Sequence, residues 1–72
     1  MTNEEKIEIL AEAMDIDSND LHENDNLKKN DAWDSLSMLS FMAIVASKCD
    51  KKIKPQEVQS IVTVQDALNL ME

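Results

Sequence analysis

At 72 residues, with a formal charge of −8 and no arginine, the chain is confined to one small domain, residues 1–72, and is poorly suited to nucleic acid. A domain of this size buries only about 60% of its unfolded surface, too little to wrap a deep catalytic pocket as well as a core. Apolar residues at 43% and charged residues at 31% exclude a disordered chain, and the absence of glycine beside a single proline disfavours a strand-rich fold.

The charge is segregated. Residues 1–34 carry eleven acids and three lysines, a net of −8, whereas residues 35–72 carry four of each. The lone Cys49 allows no internal disulfide and fits a reducing compartment. The opening run "MTNEEKIEIL" is acidic and resembles no signal peptide, and no apolar stretch reaches the length of a membrane span. A cytoplasmic, monomeric protein is expected.

Thr2 and Glu5 have capping-box spacing, and Ile7, Leu10, Ala11 and Met14 follow as an amphipathic stripe. This predicts a helix near 3–14. Residues 15–34 are rich in Asp and Asn and form a long first loop, with Ile16, Leu21, Leu27 and Trp33 as the expected pins and room for a short helical turn. A second helix is predicted from Asp34–Ser35 to about Cys49. Its wheel places Met38, Phe41, Met42, Val45 and Cys49 on a core face and Ser37, Ser40 and Ser47 opposite, with Leu36 and Ala43 near them. Pro55 suits the first position of a short third helix with Val58 and Ile61 inward. Thr63 and Asp66 repeat the cap pattern before a last helix near 64–71. The expected fold is all-α, a small four-helix bundle of three main helices plus one short helix.

Candidates for chemistry are few. "DIDSND", Asp15 to Asp20, opens like a calcium loop, but Asp20 stands where glycine is needed and Asn26 where a bidentate glutamate is needed. No metal site is expected. His22 lies in a polar loop and Cys49 on an apolar helix face, which supplies no positioned nucleophile and base. No catalytic residue is assigned, and an enzyme is the least expected class.

The remaining candidate is "DSL", Asp34 to Leu36. Asp and Ser favour helix starts for backbone reasons alone. A serine there is also well placed to carry a phosphodiester, because free N–H groups and the helix dipole stabilise phosphate oxygens. Asp34 can help bind the cation that accompanies phosphoryl transfer.

The whole arrangement resembles an acyl carrier protein: a first helix, a long acidic loop, "DSL" opening the second helix, and "IKPQEVQSIVTVQDALNLM" at the end. The resemblance covers nearly all of the chain. It implies that Ser35 is esterified by 4′-phosphopantetheine, transferred from coenzyme A by a separate phosphopantetheinyl transferase. The thiol of that arm then carries an acyl or aminoacyl cargo as a thioester between loading and transfer enzymes. Asp34 matches the acid before the modified serine, and Leu36 the apolar residue after it that touches partners.

One departure from the family matters. Carriers of fatty-acid synthesis have acids along the second helix, but "SLSMLSFMAIVASKC", Ser35 to Cys49, contains none, and Ser37, Ser40, Ala46 and Ser47 stand at positions where acids are common. Shape and apolar contact then replace electrostatic steering, and a partner face of Leu36, Leu39, Ser40 and Ala43 is expected. The leading expectation is a stand-alone carrier of a specialised biosynthetic pathway. The alternatives are a housekeeping fatty-acid carrier with an unusual second helix, and an unmodified helical adaptor. The interior at Met38, Phe41, Val45 and Ile61 is a further candidate shelter for an apolar cargo, although the same residues are needed as core.

Overall fold

The computed structural model describes residues 1–72 as four helices with no strand: α1 (Asn3–Met14), α2 (Ser35–Lys48), α3 (Pro55–Gln59) and α4 (Val64–Leu70). The expected all-α bundle is the observed one. No helix is long and apolar enough to cross a membrane. Helix α1 lies against α2 and α4, and the short α3 closes against α2.

Each helix starts where its cap chemistry places it. The Thr2 hydroxyl accepts from the Glu5 N–H at 3.2 Å while Glu5 Oε1 accepts from the Thr2 N–H at 3.0 Å. Thr63 and Asp66 repeat the exchange at α4, and Asp66 Oδ2 also accepts from the Val62 N–H. At α3, Pro55 occupies the first turn, and the Glu57 side chain accepts from the Lys54 N–H. Helix α1 ends in a Schellman closure, with Asp15 N–H on the Glu12 carbonyl and Ile16 N–H on the Ala11 carbonyl. Asp15 adopts the left-handed conformation (φ 56°) that the closure requires. In a chain without glycine, Asp is among the residues that reach it most readily.

Helix α1 buries more than its predicted stripe. Leu10, Ala11 and Met14 are buried as expected, but Ile9 and Ala13 are buried too, whereas Ile7 is half-buried. Contact with both α2 and α4 widens the covered face. Lys6 is drawn in with it: its side chain is only 8% exposed, and its Nζ pairs with Glu72 Oε1 at 3.0 Å. Lys51 Nζ also donates to the Glu72 main-chain oxygen.

The loop between α1 and α2 is pinned. Leu21, Leu27 and Trp33 enter the core and Ile16 packs against it. Single helical turns form at Ser18–Asp20 and Leu27–Lys29. In the first of these, Asp17 Oδ1 accepts from the Asn19 N–H, so that carboxylate serves the turn. Three main-chain bonds stitch the loop to the approach and first turn of α4: Leu27 N–H to Val62 O (2.7 Å), Val64 N–H to Asp25 O (3.0 Å) and Gln65 N–H to Glu23 O (2.9 Å). Leu27, which has no exposed surface, is the central pin. Replacing Leu27 with alanine removes a fully packed side chain and is expected to cost about 2–5 kcal/mol. Urea denaturation followed by circular dichroism measures the loss.

Candidate functional site

The start of α2 is built by two residues. Asp34 is extended (φ −135°, ψ −173°), and its Oδ1 accepts from the Ser37 N–H at 2.9 Å. Ser37 Oγ returns the contact twice, accepting from the Asp34 N–H at 2.8 Å and donating to the Asp34 carbonyl at 3.0 Å. The backbone bond from Ser37 is the main cause that holds the Asp34 carboxyl below the ordinary carboxylate range, against an opposing desolvation effect.

This geometry corrects one expectation. Ser37 is buried and belongs to the cap, not to the exposed serine face of α2. It lies one turn before Phe41 and two before Val45, both completely buried, so all three share one inward line. The cap is complete with Asp34 and Ser37. Ser35, the first residue of the helix, is exposed and stands outside it.

Leu36 and Leu39 are 73% and 65% exposed, Ala43 is exposed, and Ser40 is half-buried. They form a surface without charge that continues from Ser35 along the helix. Cys49 ends the same helix about 21 Å from Ser35. His22 Nδ1 lies 3.6 Å from Asp25 Oδ2, and both side chains are well exposed.

Beside Ser35 a cleft of about 250 Å³ opens between α2 and α3, walled by Met38, Leu39, Met42, Pro55, Val58 and Gln59. An adjoining cavity of about 300 Å³ is lined by Lys28, Trp33, Met38, Gln59 and Ile61. Of the four interior residues considered as a cargo shelter, Met38 and Ile61 line these spaces, while Phe41 and Val45 have no exposed surface. A depression of about 440 Å³ between α1 and residues 18–22 is larger, but Glu4 and Glu8 contribute to its lining and Ser35 does not. The apolar cleft is therefore the candidate binding space.

Trp33 meets Phe41 edge to face at 5.9 Å and 76°. Its Nε1–H is buried without an acceptor, which costs about 1–3 kcal/mol. Sequence reasoning missed the cap role of Ser37 and the place of Pro55, Val58 and Gln59 at the cleft, although it set Pro55 at the start of α3 and Val58 inward. The Asp34-x-x-Ser37 spacing was a legible signal for the first. Nothing in the sequence pairs α3 with the mouth of α2.

The residues present fit a phosphodiester-linked arm at Ser35. Ser35 is exposed in the first turn of a fourteen-residue helix, whose dipole favours negative charge at that end, and an apolar cleft is lined by the same residue.

Ser37→Ala strips the Asp34 N–H of its partner, while the Asp34 carbonyl keeps the Met38 N–H, and is expected to cost about 1–3 kcal/mol, read as a lower urea midpoint. The carboxyls of Glu5, Asp34 and Asp66 are all lowered by backbone N–H bonds, from Thr2, Ser37 and Thr63 respectively. The unfolded chain therefore binds protons at higher pH than the folded one. The resulting stability is fully present above the ordinary values of 4.5 for Glu and 3.8 for Asp and is lost as the pH falls below them. Asp34→Asn keeps a capping group but no titration. Its deficit in urea midpoint is expected to be largest near neutrality and to close below pH 3.8.

Comparison with protein-family models and with curated protein sequences found no match to this chain.

Proposed function

We propose that this protein is a carrier whose Ser35 bears 4′-phosphopantetheine and which has no catalytic activity of its own. The observation that carries the reading is the exposed Ser35, directly behind Asp34, outside the helix cap and lining an apolar cleft. In the installation step, Ser35 Oγ attacks the phosphorus of coenzyme A that bears pantetheine. A Ser35 O–P bond forms and the pyrophosphate P–O bond breaks. Adenosine 3′,5′-bisphosphate leaves, and the serine proton passes to a base of the phosphopantetheinyl transferase. Asp34 supports this step through its carboxylate, held ionised by the Ser37 N–H and available to the accompanying cation. The bound arm supplies a thiol that holds an acyl or aminoacyl group as a thioester.

Leu36, Leu39, Ser40 and Ala43 would form the face that meets loading and transfer enzymes. The acid-free sequence of α2 supports partners of a specialised pathway over the general fatty-acid enzymes. Efficient elongation by general fatty-acid enzymes would instead favour the housekeeping alternative.

Incubation with coenzyme A and a broad-specificity transferase is expected to raise the intact mass by about 340 Da, the mass added by the covalent group on serine. Ser35→Ala is expected to abolish the gain. An unchanged mass for the native chain overturns the carrier reading and leaves a helical adaptor that uses the exposed leucines. Exchanging Leu39 for aspartate is expected to slow acyl transfer from a cognate loading enzyme at least tenfold with little loss of stability. The native transfer rate should change little between low and physiological salt, because the contact face lacks charge.

A further inference from the structure

Asp34 and Ser35 are exposed, yet a buried side chain holds them in place. Ser37 has 5% of its surface exposed and meets Asp34 at three polar groups. Its main-chain N–H donates to Asp34 Oδ1 at 2.9 Å. Its Oγ accepts from the Asp34 N–H at 2.8 Å and donates to the Asp34 carbonyl at 3.0 Å, beside the Met38 N–H. The two Oγ bonds run in opposite directions. A hydroxyl can accept and donate at once, whereas a carboxylate only accepts and an alanine does neither. No other side chain bonds to Asp34.

Installation of the arm makes a strict geometric demand. The Ser35 Oγ–P bond forms as the pyrophosphate P–O bond of coenzyme A breaks, with the accompanying cation held beside both. A misplacement of about 1 Å in such a step costs on the order of 100-fold in rate. The main chain of Asp34 carries the carboxylate and leads directly into Ser35, so whatever fixes that main chain presets both groups. Ser37 Oγ does so from inside the fold, on the inward line that continues to Phe41 and Val45.

We infer that Ser37 is a positioning residue for installation: its Oγ fixes the main chain of Asp34, so that the Asp34 carboxylate and Ser35 enter the transferase already in register. The inference rests on Ser35 receiving the arm. Ser37 acts through its two neighbours and does not meet the reacting atoms. Its loss therefore slows the chemical step, while Leu36 and Leu39 still dock the chain on the transferase.

The test follows the rate at which the chain gains about 340 Da with coenzyme A, magnesium ion and a broad-specificity transferase. Native chain, Ser37→Ala, Ser37→Thr and Thr63→Ala are compared at a temperature where circular dichroism shows each to be folded. Thr63→Ala removes the hydroxyl that accepts from the Asp66 N–H at the start of α4, a cap loss away from Ser35. Ser37→Ala is expected to lower kcat at least about tenfold with KM for the chain changed by less than about threefold. Ser37→Thr keeps the hydroxyl, and both it and Thr63→Ala are expected to stay within about threefold of native in both constants. The inference is overturned, with the carrier reading intact, by a Ser37→Ala chain that keeps native kcat, loses rate only through KM, or loses no more than Thr63→Ala. A folded Ser37→Thr chain that is slowed at least about tenfold also overturns it. A native chain that gains no mass overturns both readings.

Discussion

The orientation of Ser35 depends on the reciprocal bonding of Asp34 and Ser37. Ser37 Oγ satisfies the N–H of Asp34 and joins the Met38 N–H on its carbonyl, and the Asp34 carboxylate satisfies the Ser37 N–H. With that turn closed, the phase of α2 is set. Ser37, Phe41 and Val45 run down the inner line, while Leu36, Leu39 and Ala43 stay outside. A helix begun one residue later would rotate this pattern by about 100° and bury the wrong side chains.

The cap would float without the loop that delivers it. Residues 15–34 hold much of the chain's negative charge and little apolar surface, so their order comes from a few strong anchors. Leu27 fills the core, the three main-chain bonds to residues 62, 64 and 65 replace a strand pair, and Trp33 locks on Phe41 just before the cap. A domain this small has a narrow stability margin.

Charge and apolar exposure are divided between two faces. Glu4, Glu8 and Glu12 are exposed on α1, with Glu12 meeting Lys48 at 3.4 Å, whereas the outer line of α2 has no charge before Lys48. Two leucines more than three-fifths exposed at the start of a helix are an unusual expense in a marginal fold. In the proposed carrier role they are the surface on which partner enzymes recognise the chain, with the acidic α1 face serving solubility.

Local chemistry was readable from residues alone. The caps at Thr2, Asp34 and Thr63, the proline start of α3, and the loop pins at Leu21, Leu27 and Trp33 each follow from side chains that act on neighbours a few positions away or from an apolar residue isolated in a polar run. The exposed Ser35, Leu36 and Leu39 were also legible, because a period of 3.6 residues fixes which positions face outward once the helix start is known. Ser37 was misplaced on the outer face because the wheel weighed its polarity and not its bonding to Asp34. What only the tertiary structure decided is how separated segments meet: α3 closing the cleft beside Ser35, Lys6 reaching Glu72, and the Trp33 indole left without an acceptor. Those outcomes depend on long-range packing and on which polar groups find partners in a crowded interior, and neither is encoded in the spacing of residues along one helix.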